Sequence, residues 1–206
     1  MSYLFYEYNS LKSLDLSSFN KSYVYGMQYM FYNCGQLKEL KINSFNTEEV
    51  FDMSRSLSGL KSLTILDVSN FKTNYIDNFE YFFSDWESIE SLNLSNFDTS
   101  KSANVPYMFK NCKILKTLKF NFNVEKVINM NNTFQDFSSL TSLDLSSFKI
   151  SKLKYLDYLF YNCNQLKSLN IQNFDSSLTY KELNHFLTDN VLKMNICLMN
   201  ALLCLN

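Results

Sequence analysis

Leu11-Lys12-Ser13-Leu14-Asp15-Leu16-Ser17-Ser18-Phe19 decides the reading of this chain, because its apolar positions recur along almost the whole sequence. They return as Leu37, Leu40, Ile42, Phe45, then as Leu63, Leu66, Val68, Phe71 and as Ile89, Leu92, Leu94, Phe97. Leu115, Leu118 and Phe120 follow with a damaged end, then Leu140, Leu143, Leu145, Phe148 and finally Leu166, Leu169, Ile171, Phe174. From Leu14 to Leu118 the step is 26 residues; it shortens to 25 at Leu143 and is 26 again at Leu169. A repeat of this length buries its apolar residues by stacking on its neighbours.

Within each repeat the Leu-x-Leu element alternates apolar with polar, which predicts a short strand with one face buried. Between strands, Met27, Met30, Phe31, Cys34 and Leu37 are spaced i, i+3, i+4, i+7, i+10, and this predicts a short α-helix. Phe79, Phe82, Phe83, Trp86, Ile89 and Leu156, Leu159, Phe160, Cys163, Leu166 repeat the spacing. The expected fold is therefore α/β: a right-handed leucine-rich-repeat solenoid with a parallel concave sheet and short helices on its convex side. Residues 1–174 hold seven repeats. Residues 175–206, where Leu183, Phe186, Leu187 and Ile196, Leu198, Ala201 echo the pattern, are expected to form a degenerate eighth repeat acting as a C-terminal cap. The phenylalanines ending each strand segment should stack as a spine, with a local bulge near Phe122 and Asn123 where the step shortens.

Composition narrows the function classes. The 206 residues are 46% hydrophobic and 17% aromatic, enough for a continuous core, and the formal charge of −1 argues against nucleic acid. Three glycines leave nothing from which to build phosphate-cradling loops. The apolar run from Val191 to Leu205 is interrupted by Lys193, Asn195 and Asn200 and falls short of the roughly 20 residues a membrane helix needs, so no membrane insertion is expected. Cys34, Cys112 and Cys163 share one column with Tyr8, Leu60, Trp86 and Phe137, which reads as buried core; two repeats separate Cys112 from Cys163, on the order of 10 Å and too far for a disulfide. No catalytic residue, metal site or cofactor is assigned: His185 is the single histidine, and the carboxylates are scattered. The sequons at Asn20, Asn93 and Asn131 read as chance products of an asparagine-rich chain.

Met30-Phe31, Cys34, Leu37 and Leu40, together with Leu92-Asn93-Leu94-Ser95-Asn96-Phe97-Asp98-Thr99, resemble the leucine-rich repeats of BspA-like surface proteins, including their mycoplasmal lipoprotein version. The resemblance implies adhesion and protein recognition, often at a cell surface. It therefore places the protein at the surface or outside the cell if a leader is missing from this segment, and otherwise in the cytoplasm.

Two surfaces are candidates for binding. The outward strand position reads Asp15, Lys41, Asp67, Asn93, Lys119, Asp144, Asn170, a concave ladder in which alternating charges either let strands stack or read a ligand. On the convex side a column reads Tyr3, Tyr29, Arg55, Tyr81, Tyr107, Asn132, Tyr158, and a second begins Tyr6, Tyr32 and ends Tyr161. Such rings either recognise a partner or lie down as the rim of the core. The expected function is a non-enzymatic recognition or adhesion module for a protein ligand or a glycan. The alternative is a structural assembly unit that self-associates through an uncapped N-terminal edge.

Overall fold

The computed structural model describes residues 1–19 and 24–174. The expected cap at 175–206, with His185, Cys197 and Cys204, lies outside the described residues. Strands form where the Leu-x-Leu alternation predicts them. Strand β1 (Ser13–Asp15) pairs in parallel with β2 (Glu39–Lys41), β3 (Ser91–Leu94) with β4 (Thr117–Phe120), and β5 (Ser142–Asp144) with β6 (Ser168–Asn170). Each pairing joins residues 26 apart, such as Leu14 with Leu40 and Leu92 with Leu118.

The expected α/β solenoid is not what the chain forms. Among the described residues there is no helix, and the strands make three separate two-stranded sheets rather than one continuous sheet. The segment around Leu66 forms no strand, which parts β2 from β3. In place of a helix, residues 27–34 run through three-residue turns: Met30, Tyr32 and Cys34 donate their N–H groups three residues back, to Met27, Tyr29 and Phe31. The alternate N–H groups point the other way, into the next repeat, where Tyr29 donates to Ser54, Phe31 to Ser56 and Asn33 to Ser58. An α-helix needs an unbroken right-handed backbone bonded to i−4. Here Tyr29 (φ 56°) and Asn33 (φ 55°) are left-handed, as are their equivalents in the other repeats, Tyr81 and Asp85 among them. The turn chain nonetheless buries Met27, Met30, Phe31 and Cys34, the set that helical spacing would bury.

Asparagine and aspartate close the corners. Asp15, Asp67, Asn93, Asp144 and Asn170 each accept, through Oδ1, the backbone N–H two residues on, at 2.8–3.3 Å. Asn46, Asp98 and Asn123 do the same after the phenylalanine, and Asp52, Asn78 and Asn129 before the turn chain. These Asx turns bend the chain where glycine is scarce.

Two further columns tie repeats together through buried polar groups. Thr73 Oγ1 donates to the carbonyl of Asp98 (3.0 Å) and accepts its N–H (2.7 Å), as Thr47 does with Lys72. In the cysteine column, the thiols of Cys34, Cys112 and Cys163 donate to the carbonyls of Phe5, Phe83 and Phe134, and the Trp86 indole donates to Leu57. The column thus asks for an apolar body and, at these four positions, supplies a donor to the preceding repeat. The thiols are unpaired and buried.

The phenylalanine spine needs a correction beyond its first pair, Phe19 and Phe45, whose tilted rings lie 6.2 Å apart. Phe71, Phe97 and Phe148 are buried, but Phe97 packs on Phe79, Phe82 and Phe83 rather than on its column neighbours. Face-to-face stacking belongs to another column: Phe5 on Phe31, then Phe83, Phe109, Phe134 and Phe160 at 5.6–5.9 Å with planes within 10°. The 25-residue step is a shortened corner. Leu94 still pairs with Phe120, whereas Thr99 donates to the carbonyl of Asn123, one residue earlier than Thr73 would predict, so Phe122 takes the buried place.

Two outcomes follow for stability. Replacing Thr73 with valine removes the two part-buried hydrogen bonds to the N–H and C=O of Asp98 and should cost about 1–2 kcal/mol in urea unfolding, with Thr73→Ser nearly neutral. Asp67 has its carboxyl held below the ordinary range, chiefly by its hydrogen bonds to Ser69. A depressed folded-state pKa contributes stability above the unfolded value that is lost as pH falls through the folded one. Asp67→Ala should therefore lower the urea midpoint at neutral pH, and Asp67→Asn should preserve it while flattening part of its decline in acid.

Candidate functional site

Tyr3, Tyr29, Arg55, Tyr81 and Tyr107 come together as one continuous stack on the turn face. Tyr3 and Tyr29 lie 4.8 Å apart with planes 8° from parallel, and Tyr81 and Tyr107 lie 4.3 Å apart, again at 8°. Arg55 fills the gap: its guanidinium sits 3.8 Å from the Tyr81 ring centre and 5.7 Å from that of Tyr29, and Glu80 anchors it at 2.9 Å. Lys110 covers Tyr107 at 5.4 Å. Left-handed backbone at each of these positions turns the side chains outward on a common line, and parallel register brings each within ring contact of the next. A planar guanidinium replaces a ring here with little change of shape, which lysine could not do.

The stack is half-buried at Tyr29, Arg55, Tyr81 and Tyr107 and exposed at Tyr3. Burial pushes the Tyr81 phenol above its ordinary range, and the adjacent Tyr107 phenol adds to the shift. Tyr6 and Tyr32 form a parallel second tier at 5.3 Å, with Tyr29 edge-on to Tyr32. Asn132 interrupts the column, so Tyr158 stands apart, exposed and edge-on to Tyr161 at 5.8 Å. The rings and the guanidinium form a pre-ordered ladder, half-buried along most of its length.

Most side chains of the strand-face ladder accept a hydrogen bond within their own turn. Lys41 pairs with Asp15 at 2.8 Å, and this bond, with those from Ser17, holds the Asp15 carboxyl far below its ordinary range. The other contacts the alternation suggests do not form: neither Lys41 with Asp67 nor Lys119 with Asp144 is within 4.0 Å. Lys119 lies beside Asn93, and Asp144 beside Asn170. Asp15, Asp67, Asn93, Asp144 and Asn170 are instead engaged in their Asx turns. The Asx residue is followed, one position on, by the buried Leu, Val or Ile, and that order is the signal for a corner.

Glu80, which anchors Arg55, was not legible as part of the column, because it precedes Tyr81 rather than following the 26-residue step from Arg55. Among the described residues no cluster of histidine, cysteine and carboxylates could hold a metal ion, and no helix is long and apolar enough to cross a membrane.

Burial raises the thiols of Cys112 and Cys163, the latter to about 12. At pH 8 the native protein should therefore resist iodoacetamide at both positions for hours, whereas protein in denaturant should react within minutes, as read by peptide mass spectrometry. Because the raised pKa stabilises only the protonated thiol, their contribution to folding should fade as pH rises above about 9.

No curated protein and no solved structure matches the chain. A family model described as "Mycoplasma protein of unknown function, DUF285" matches twice, over residues 1–118 and 78–197. The two matches are offset by about three repeats, as a chain self-similar at 26 residues allows. Between them they span nearly the whole sequence, and the chain belongs to this family of Mycoplasma proteins, DUF285.

Proposed function

We propose that the chain is a non-enzymatic recognition module of the BspA-like repeat type, which holds a protein partner, in adhesion or a related contact, against the edges of its stacked tyrosines. The observation that supports this most is the unbroken order of Tyr3, Tyr29, Arg55, Tyr81 and Tyr107. Tyrosine and arginine are the residues that recognition surfaces favour, because they offer large contact area with few bonds to freeze. Here the freezing has taken place during folding, so a partner would lose less entropy on binding. Hydroxyl groups spaced at the separation of adjacent repeats suit the alternating donors and acceptors of an extended backbone. The reading as non-enzymatic belongs to the same proposal, and is supported by the engagement of Asp15, Asp67 and Asp144 in turns.

Surface plasmon resonance against a panel of purified extracellular proteins tests the reading, with wild type beside the double variant Tyr29→Ser/Tyr107→Ser. Binding by the wild type and a loss of at least about tenfold in the variant, roughly 1.4 kcal/mol, is expected. The variant breaks several ring contacts worth on the order of 1 kcal/mol each, so it should melt roughly 10 °C below wild type and still be folded at the temperature of the binding measurement. Undiminished binding, or loss only through unfolding, would sink the proposal. Light scattering over a concentration series separates partner binding from self-association.

A further inference from the structure

Two of the chain's three glycines meet at one place on the surface. Gly59 stands in a column of left-handed positions that is otherwise Glu7, Asn33, Asp85, Asn111, Asp136 and Asn162. Gly35 stands two residues after Asn33, in a column that elsewhere carries side chains such as Lys61 and Glu87. Both line a cleft of about 740 Å³.

The two glycines have different causes. A Cβ on Gly59 would meet Asn33 Oδ1 at 2.2 Å and Asn33 Cα at 3.1 Å, and its φ is +76°, so glycine relieves crowding there and adopts without strain a backbone that Asn and Asp adopt elsewhere in the column. A Cβ on Gly35 would meet only the Gly59 carbonyl at 3.8 Å and Lys61 Cδ at 3.9 Å, ordinary contacts. Nothing in the fold asks for glycine at 35. What its absent side chain does is leave the cleft open.

The lining is polar and only partly spent, with Ser62 donating to the Gly35 carbonyl and Ser88 to that of Lys61. Elsewhere in the left-handed column carboxamides are satisfied by their neighbours: Asn111 donates to Asp85 at 2.9 Å and Asn162 to Asp136 at 2.7 Å. Asn33 faces Gly59 instead, and the side-chain amides of Asn33, Asn9 and Gln36 have no protein partner among the described residues. Within the lining Lys61 is paired with Glu87 at 2.9 Å, which leaves the Glu7 carboxylate as the one charge there without an ion-pair partner among the described residues. Each free carboxamide offers a donor and an acceptor side by side. A pair of vicinal hydroxyl groups is the ligand chemistry that both donates and accepts at that spacing, and it carries no charge.

We propose that the cleft lined by Gly35 and Gly59 is a binding site for a neutral saccharide of one or two rings, held by the carboxamides of Asn9, Asn33 and Gln36. The site is independent of the tyrosine stack, so it stands or falls separately from the recognition of a protein partner. Its open, hydrated form sets an affinity on the order of millimolar.

Saturation-transfer NMR on the whole protein with maltose, lactose and N,N′-diacetylchitobiose as probes tests it. Transfer to at least one sugar is expected from the wild type. Gly35→Leu, which fills the cleft, and Asn9→Ala/Gln36→Ala, which removes exposed amides that bond to nothing else, should both abolish transfer. The second variant should melt with wild type, and it decides the matter if Gly35→Leu proves unstable. No transfer to any of the three sugars overturns the proposal. So does transfer that survives in Asn9→Ala/Gln36→Ala, and so does transfer only to n-butylammonium, which would mark the cleft as a seat for a basic side chain.

Discussion

Everything in this molecule depends on one hydrogen-bond pattern, the in-register donation from a residue's N–H to the carbonyl one repeat ahead along the turn face. Tyr29 to Ser54, Arg55 to Glu80, Tyr81 to Pro106 and Tyr107 to Asn131 are successive links of it. The pattern needs every second N–H aimed along the stacking direction, and left-handed residues achieve that. Such a backbone is costly for a tyrosine, by roughly 1–2 kcal/mol. The cost is offset because the same geometry stacks each ring on its equivalent and frees its N–H for a neighbour. The outer tyrosine column and the inner Phe83, Phe109, Phe134, Phe160 column, two residues apart in sequence, are the two faces of this single arrangement.

Much of this was legible in the sequence. The 26-residue step set the register of every strand pair, and the apolar columns named most of the buried set, cysteines included, with Tyr8 and Phe19 of the first repeat exposed instead. The helix was misread for a definite reason. Met27, Met30, Phe31 and Cys34 are buried equally well by a helical turn and by a run of three-residue turns, so spacing alone does not separate them. The discriminating residues are Asn33, Gly59, Asp85 and Asn111, all types that tolerate left-handed backbone, recurring at one register position. Tyrosine gives no such hint, and its own left-handed column could not be inferred from residue type.

The candidate surfaces divided along similar lines. The tyrosine column was visible as a pattern, but its stacking required the register, and Arg55 made sense only as a ring substitute between Tyr29 and Tyr81. The strand-face charges looked like a ladder because charge is easy to see. The hydrogen bonds from Ser17, Ser69 and Ser146 reveal the shorter-range role, and that role explains why asparagine interchanges with aspartate there while the charge varies.

Because the contacts between repeats join residues to their counterparts one repeat away, the interface between any two repeats closely resembles the next. Excising one whole 26-residue block, or copying it, would leave a junction the fold already knows how to make, whereas removing a single residue shifts several columns at once. The corner at Phe122 shows how one such loss can be absorbed, by promoting a neighbouring phenylalanine into the vacated place. Length is therefore a free variable for this architecture, and phase is not.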